Sequence, residues 1–136
     1  MEILSRFQDK DPLQEMRAVS TPETVLGIRA SIRNIHVADA VKRFIAEIAS
    51  ETRTSSHLKL GMSPRASQHL MLAAQGEAFF HGRDFVIPED VLDLAQAVLA
   101  HRLILSAEAR MEGIDSRQVV GRILAKVKIP TGLNER

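Results

Sequence analysis

Ser63-Pro64 and Gly82 bracket the stretch that most restricts how this chain can fold. A serine before proline is a helix start: the hydroxyl can cap a first-turn N–H, and proline's missing N–H costs nothing there. A glycine at the far end supplies a left-handed terminator. Between them Ala66, Leu70, Ala73, Ala74 and Ala78 fall on one side of the wheel. So many small residues let a neighbouring helix approach closely. The chain is therefore expected to be built from packed helices around this one.

Composition agrees. The 136 residues contain five Phe, no Trp and no Tyr, so the core must come from Leu, Ile, Val, Ala and Met. That mix disfavours a large sheet, because strands enrich in aromatic and β-branched residues. Cys is absent, which excludes a disulfide framework, a thiolate metal site and a thiol nucleophile. With 18 Lys and Arg against 17 Asp and Glu, the net charge of +1 gives no basic face for a polyanion. No apolar run reaches the roughly 18 to 20 residues that span a bilayer. The first ten residues lack the apolar segment of a secretory signal, so a cytoplasmic location is expected.

Other elements follow from punctuation and periodicity. Residues 2–8 can form two turns of helix before Asp9-Lys10-Asp11-Pro12 stops them. Ser20 and Glu23 have capping-box spacing around Pro22, predicting a helix to Arg33 with Val25, Ile28 and Ile32 on its buried face. Val41, Phe44, Ile45 and Ile48 predict a second helix from about Asp39 to Arg53. Residues 54–62 read as a polar loop entering a short extended piece, and Phe85-Val86-Ile87 and Leu103-Ile104-Leu105 as two more. Pro88-Glu89-Asp90 opens a helix with acids in its first turn, where the helix dipole favours them, and Val91, Ala95, Val98, Leu99 and Arg102 continue it. A last helix starts at Asp115 or Ser116, carries Val119, Val120, Ile123, Leu124 and Val127, and ends by Pro130 and Gly132. The fold class expected is mainly α: a compact helical bundle with two or three short extended segments. Residues 1–20 read as a leading arm, 21–130 as the helical domain and 131–136 as a tail.

Familiar catalytic patterns are missing. No Gly-x-x-x-x-Gly-Lys loop occurs, so this chain does not cradle phosphates in that way by itself. His36, His57, His69, His81 and His101 lie at least twelve residues apart, too far for a local metal clamp, and no metal ligand is assigned. Ser63 reads as a helix cap rather than a nucleophile, and Glu89 and Asp90 as first-turn acids rather than an acid/base pair.

Charge distribution says more. From Thr52 to Gly76 there is no acid, while Arg53, Lys59 and Arg65 all fall there. Arg65 sits near the second position of the strongest helix, where the dipole mildly disfavours a cation. A helix start offers N–H groups and partial positive charge to an anion. Arg65 is thus the candidate anion contact.

Leu60-Gly61-Met62-Ser63-Pro64-Arg65-Ala66 resembles the LGASPRA signature of MoxR-type AAA+ ATPases. Gly82 to Val91 resembles the family's GRDYVTPEDV, and Val98 to Leu103 its VLRHRL, at matching separations. Glu2 to Phe7 and Asp11-Pro12-Leu13 resemble the close of the large ATPase subdomain. The resemblance implies that the chain is the C-terminal AAA+ lid. It implies that Arg65 is the sensor-2 arginine contacting the terminal phosphate of ATP, with Ser63, Pro64 and Ala66 beside the nucleotide. It implies ATP with Mg2+ as ligand of the parent ATPase, none being required by this piece. No turnover is expected from the piece alone, since the P-loop and Walker B acids are absent from it. The partners implied are the large subdomain of the same protein, neighbouring subunits in a hexameric ring, and von Willebrand factor A proteins, with chaperone-like maturation of client complexes as the activity. Neither membrane nor nucleic acid is an expected partner. Two positions depart from the pattern. Ile87 replaces threonine, removing a side-chain cap worth about 1 kcal/mol. Met62 replaces a small residue and is expected to alter packing on the adenine side. The competing readings are a helical DNA-binding module, with the helix from Ser63 as reader, and a structural interaction module that has lost sensing.

Overall fold

The computed structural model describes residues 16–131, and the expected helix at residues 2–8 lies outside them. The described residues form six α-helices: α1 (Pro22–Arg33), α2 (Asp39–Thr54), α3 (Pro64–Phe80), α4 (Pro88–Leu99), α5 (Ala107–Met111) and α6 (Ser116–Leu124). Two short strands, β1 (Leu58–Leu60) and β2 (Ile104–Leu105), pair antiparallel, with Leu58 opposite Leu105 and Leu60 opposite Ile104. The mainly helical fold expected from the sequence is the fold observed.

Packing divides the chain into two units, one ending at Ala30 and one beginning at Ser31. The first contains most of α1. Its cap is Thr21, whose Oγ1 accepts from the Thr24 N–H at 3.3 Å, rather than Ser20. The expected buried face is not buried: α1 has no buried residue, and Val25, Leu26 and Ile28 are exposed. Spacing marks which side is apolar, but burial needs an opposing surface, and the described part of this unit supplies none.

The second unit holds the core. Val41, Phe44, Ile45 and Ile48 of α2, Ala66, Leu70, Ala74 and Ala78 of α3, Val91, Ala95 and Leu99 of α4, and Val119, Val120 and Ile123 of α6 form one buried cluster. Helix α3 packs on both α2 and α4. Its alanines allow that close contact, as their spacing predicts. It ends in a Schellman turn: Gly82 has φ +68°, its N–H donates to Phe79 O at 2.9 Å, and the Arg83 N–H donates to Ala78 O at 2.9 Å. Gln75, on the buried side, donates through Nε2 to Ile35 O at 2.8 Å and ties α3 to the segment before α2.

Three expectations are adjusted. Phe85-Val86-Ile87 forms no strand; a single parallel bridge joins Phe85 to His36. Helix α4 stops at Leu99 and tightens into a 3-10 turn over Ala100–Arg102, leaving Arg102 exposed. Helix α6 stops at Leu124, well before Pro130. There the Lys126 N–H reaches back only to Ile123 O (3.0 Å), and this tighter turn still delivers Val127 to the core. Helix α5 has no signature in the sequence pattern. Ser106 caps it, accepting from the Ala109 N–H at 3.2 Å, and Gly113 at φ +72° follows it. Five residues are too few to show a periodicity.

Candidate functional site: the first turn of helix α3

The site residues expected from sequence, Ser63, Pro64, Arg65 and Ala66, are consecutive at the start of α3. Ser63 is the N-cap, and its Oγ accepts from the Ala66 N–H at 3.2 Å. Its own carbonyl accepts from the Ser67 N–H at 3.1 Å. Pro64 has no N–H, and the Ala66 side chain is buried in the core. The first turn therefore does not offer a row of free amides, as the sequence suggested. With Pro64 lacking an N–H and the Ala66 N–H spent on Ser63, the guanidinium must carry most of any anion contact. The Arg65 side chain is exposed and makes no hydrogen bond or ion pair among the described residues. Replacing Ser63 by alanine should lower the domain's stability by about 1 kcal/mol in urea denaturation, the usual cost of a lost cap.

The approach to this turn is held from α2. Thr52 is 1% exposed. Its Oγ1 donates to Ala49 O at 2.7 Å and accepts from the Met62 N–H at 2.8 Å. Arg53, next in sequence, donates from Nε and Nη2 to Met62 O, each at 3.3 Å. Both polar groups of Met62 are thus fixed by the last turn of α2. Between them Gly61 lies so close that an added Cβ would stand 2.7 Å from Thr52 O. The Met62 side chain is 1% exposed and packs in the core. A larger residue there fills the interior.

The second segment of the resemblance has a different use. Asp90 is buried, and its carboxylate takes both arms of the Arg83 guanidinium, at 2.8 and 2.5 Å. It also accepts from the Ile87 N–H at 2.9 Å. Ile87 has no side-chain acceptor, so only this half of a capping box forms. Hydrogen bonding to Asp90 holds the Arg83 pKa above its ordinary value, with burial working the other way. A raised cation pKa stabilises the fold fully below the ordinary arginine value and loses that contribution only as pH passes the raised one. The pair is therefore intact throughout the neutral range. Asp90 is a buried structural carboxylate, not just a dipole-favoured surface acid.

Thr52 and Arg53 were missed as site residues. One signal was present: Thr52 continues the apolar stripe of Val41, Ile45 and Ile48, and a hydroxyl there must find a partner. Nothing in the sequence marked that partner as the Met62 N–H, ten residues on. The histidines do not converge; among the described residues no three His, Asp or Glu side chains are placed to hold a metal. A separate open groove of about 560 Å³ between α4 and α6 is lined by Asp93, Gln96, His101, Asp115 and Arg117, none of them from the acid-free stretch.

The element order, with β1 leading into the capped helix α3 and pairing across the fold with β2, is that of a small helical lid domain of the AAA+ class. The chain belongs to the AAA lid domain family, which matches residues 50–123. It is 37% identical over 130 residues to the protein YeaC of Bacillus subtilis, covering 96% of this chain and 41% of YeaC. It is 32% identical over 128 residues to Chaperone MoxR1 of Mycobacterium tuberculosis, covering 88% of this chain and 34% of that protein. The crystal structure of a "putative ATPase" from Cytophaga hutchinsonii superposes with a TM-score of 0.84 at 32% identity, over 96% of this chain and 42% of the other. The chain thus spans about two-fifths of the length of YeaC and of that crystallised protein. The MoxR-type resemblance read from Leu60 to Ala66 and Gly82 to Val91 is borne out by these relatives. No helix among the described residues is long and apolar enough to cross a membrane.

Proposed function

We propose that this chain is the nucleotide-sensing lid of a MoxR-type AAA+ ATPase, and that Arg65 donates to the terminal phosphate of ATP held by the large subdomain. The observation that carries the reading is an exposed guanidinium without a partner among the described residues, at a helix start in a stretch with no acid. Arginine suits the role because its fixed fork matches phosphate oxygens and stays charged at any working pH. The donor set fits phosphate but not the metal. From Thr52 to Gly76 there is no carboxylate, so Mg2+ would be held by the large subdomain. Ser63 and Pro64 set the start of the helix, and Ala66 anchors it in the core; these three place Arg65 rather than bind the ligand themselves.

On this reading the piece has no turnover of its own. The parent hydrolyses ATP, loss of the terminal phosphate releases Arg65, and the lid shifts against its neighbours in a ring, expected to be a hexamer. Chaperone-like maturation of client complexes, with a von Willebrand factor A protein as partner, and a cytoplasmic location complete the proposal. In the protein joined to its large subdomain, Arg65→Ala should lower steady-state ATP hydrolysis by about tenfold to a hundredfold, the worth of one charge-assisted hydrogen bond. Circular dichroism of the variant should match the unaltered protein, because the side chain contacts nothing that holds the fold. Hydrolysis at the normal rate would refute the sensor reading and leave a purely structural lid.

A further inference from the structure

We propose that Thr52 and Arg53 are positioning residues that set where Arg65 points, an inference that rests on Arg65 being the nucleotide contact. The Met62 N–H is held by the Thr52 hydroxyl and the Met62 carbonyl by two donors of Arg53. Both holds come from adjacent residues at the end of α2. Gly61 lets the backbones approach within a distance no side chain permits. The Met62 side chain is locked in the core. A residue fixed through its N–H, its carbonyl and its side chain has little freedom to turn. Ser63 follows immediately as the cap, and Arg65 stands two residues beyond it.

The direction in which α3 leaves the loop is therefore referenced to α2. The two residues differ usefully in burial. Thr52 is interior and its hydroxyl is part of the packing. Arg53 is exposed, and its stem closes no core. Its guanidinium, in a segment with no acid to pair with, is engaged with a backbone carbonyl two residues before the capped turn begins. Loss of that hold leaves the fold standing and loosens the first turn. The consequence falls on discrimination between tri- and diphosphate, because only the triphosphate reaches Arg65.

The experiment uses the ATPase containing both subdomains and titrates ADP and a non-hydrolysable ATP analogue into each variant. Arg53→Met should reduce the preference for the analogue over ADP by about fivefold to tenfold, with ADP affinity unchanged and the fold retained at a slightly lower melting temperature, since Met62 O loses its donors. Thr52→Val should do the same with some loss of stability, and Thr52→Ser, which keeps the hydroxyl, should restore the preference. Arg65→Ala is the reference. If it abolishes the preference while Arg53→Met and Thr52→Val retain it, the positioning role is overturned and the sensor role stands. If Arg65→Ala itself leaves the preference intact, the sensor reading fails and takes the positioning role with it.

Discussion

Replacing Gly61 by alanine is expected to destabilise the domain by about 3 kcal/mol or more, since it adds overpacking to the loss of buried hydrogen bonds. The new methyl would meet Thr52 O at 2.7 Å, Thr52 C at 2.8 Å and Arg53 N at 2.9 Å. All three are backbone atoms in the last turn of a helix, so none can swing aside. The loop must retreat, and retreat stretches the Met62 N–H bond to Thr52 Oγ1 and both Arg53 bonds to Met62 O. It also draws the Met62 side chain from the core. Gly76 is the control. It lies inside α3, and an added Cβ there meets nothing within 4 Å. Gly76→Ala should therefore stabilise the domain by up to about 1 kcal/mol through helix propensity. Urea denaturation of the three proteins measures both effects, and a loss under about 1 kcal/mol for Gly61→Ala would contradict the close-approach argument.

Arg83→Met is the second large effect, expected to cost about 3 to 5 kcal/mol. The Asp90 side chain is 4% exposed, and without Arg83 its charge keeps only the Ile87 N–H. Removing one partner of a buried pair leaves an uncompensated charge, which costs more than the pair contributes. The double variant Arg83→Met with Asp90→Asn should recover a large part of the loss, because the amide carries no charge and its oxygen can still accept from Ile87. Thermal unfolding of the single and double variants tests this. Equal losses in the two would show that Arg83 matters through its packing and its 3.0 Å bond to Phe85 O rather than through the charge of Asp90.

These two sites explain why the matched segments look as they do. Gly61 is demanded by contact between backbones, and Arg83 and Asp90 by each other. Neither requirement involves a nucleotide. Of the two arginines in the segments Leu60 to Ala66 and Gly82 to Val91, Arg83 is spent on Asp90 and Arg65 has no side-chain partner among the described residues, and for that reason sensing is assigned to Arg65.

Much of this was legible in the chain itself. The start of α3 at Pro64 and its glycine stop at Gly82, the apolar stripe of α2 and the small-residue face of α3 are set by local rules of capping and helical spacing, which act within a few residues. The acid-free stretch and Arg65 within it could be read directly. What tertiary structure alone decided involves groups distant in sequence. It turned Met62 inward, set Thr52 and Arg53 on either side of one residue, and closed Arg83 onto Asp90. It also left the apolar side of α1 exposed. Periodicity tells a helix which face is apolar, but which partner a polar group finds, and whether a face is covered, depends on the approach of a second element that no local pattern encodes.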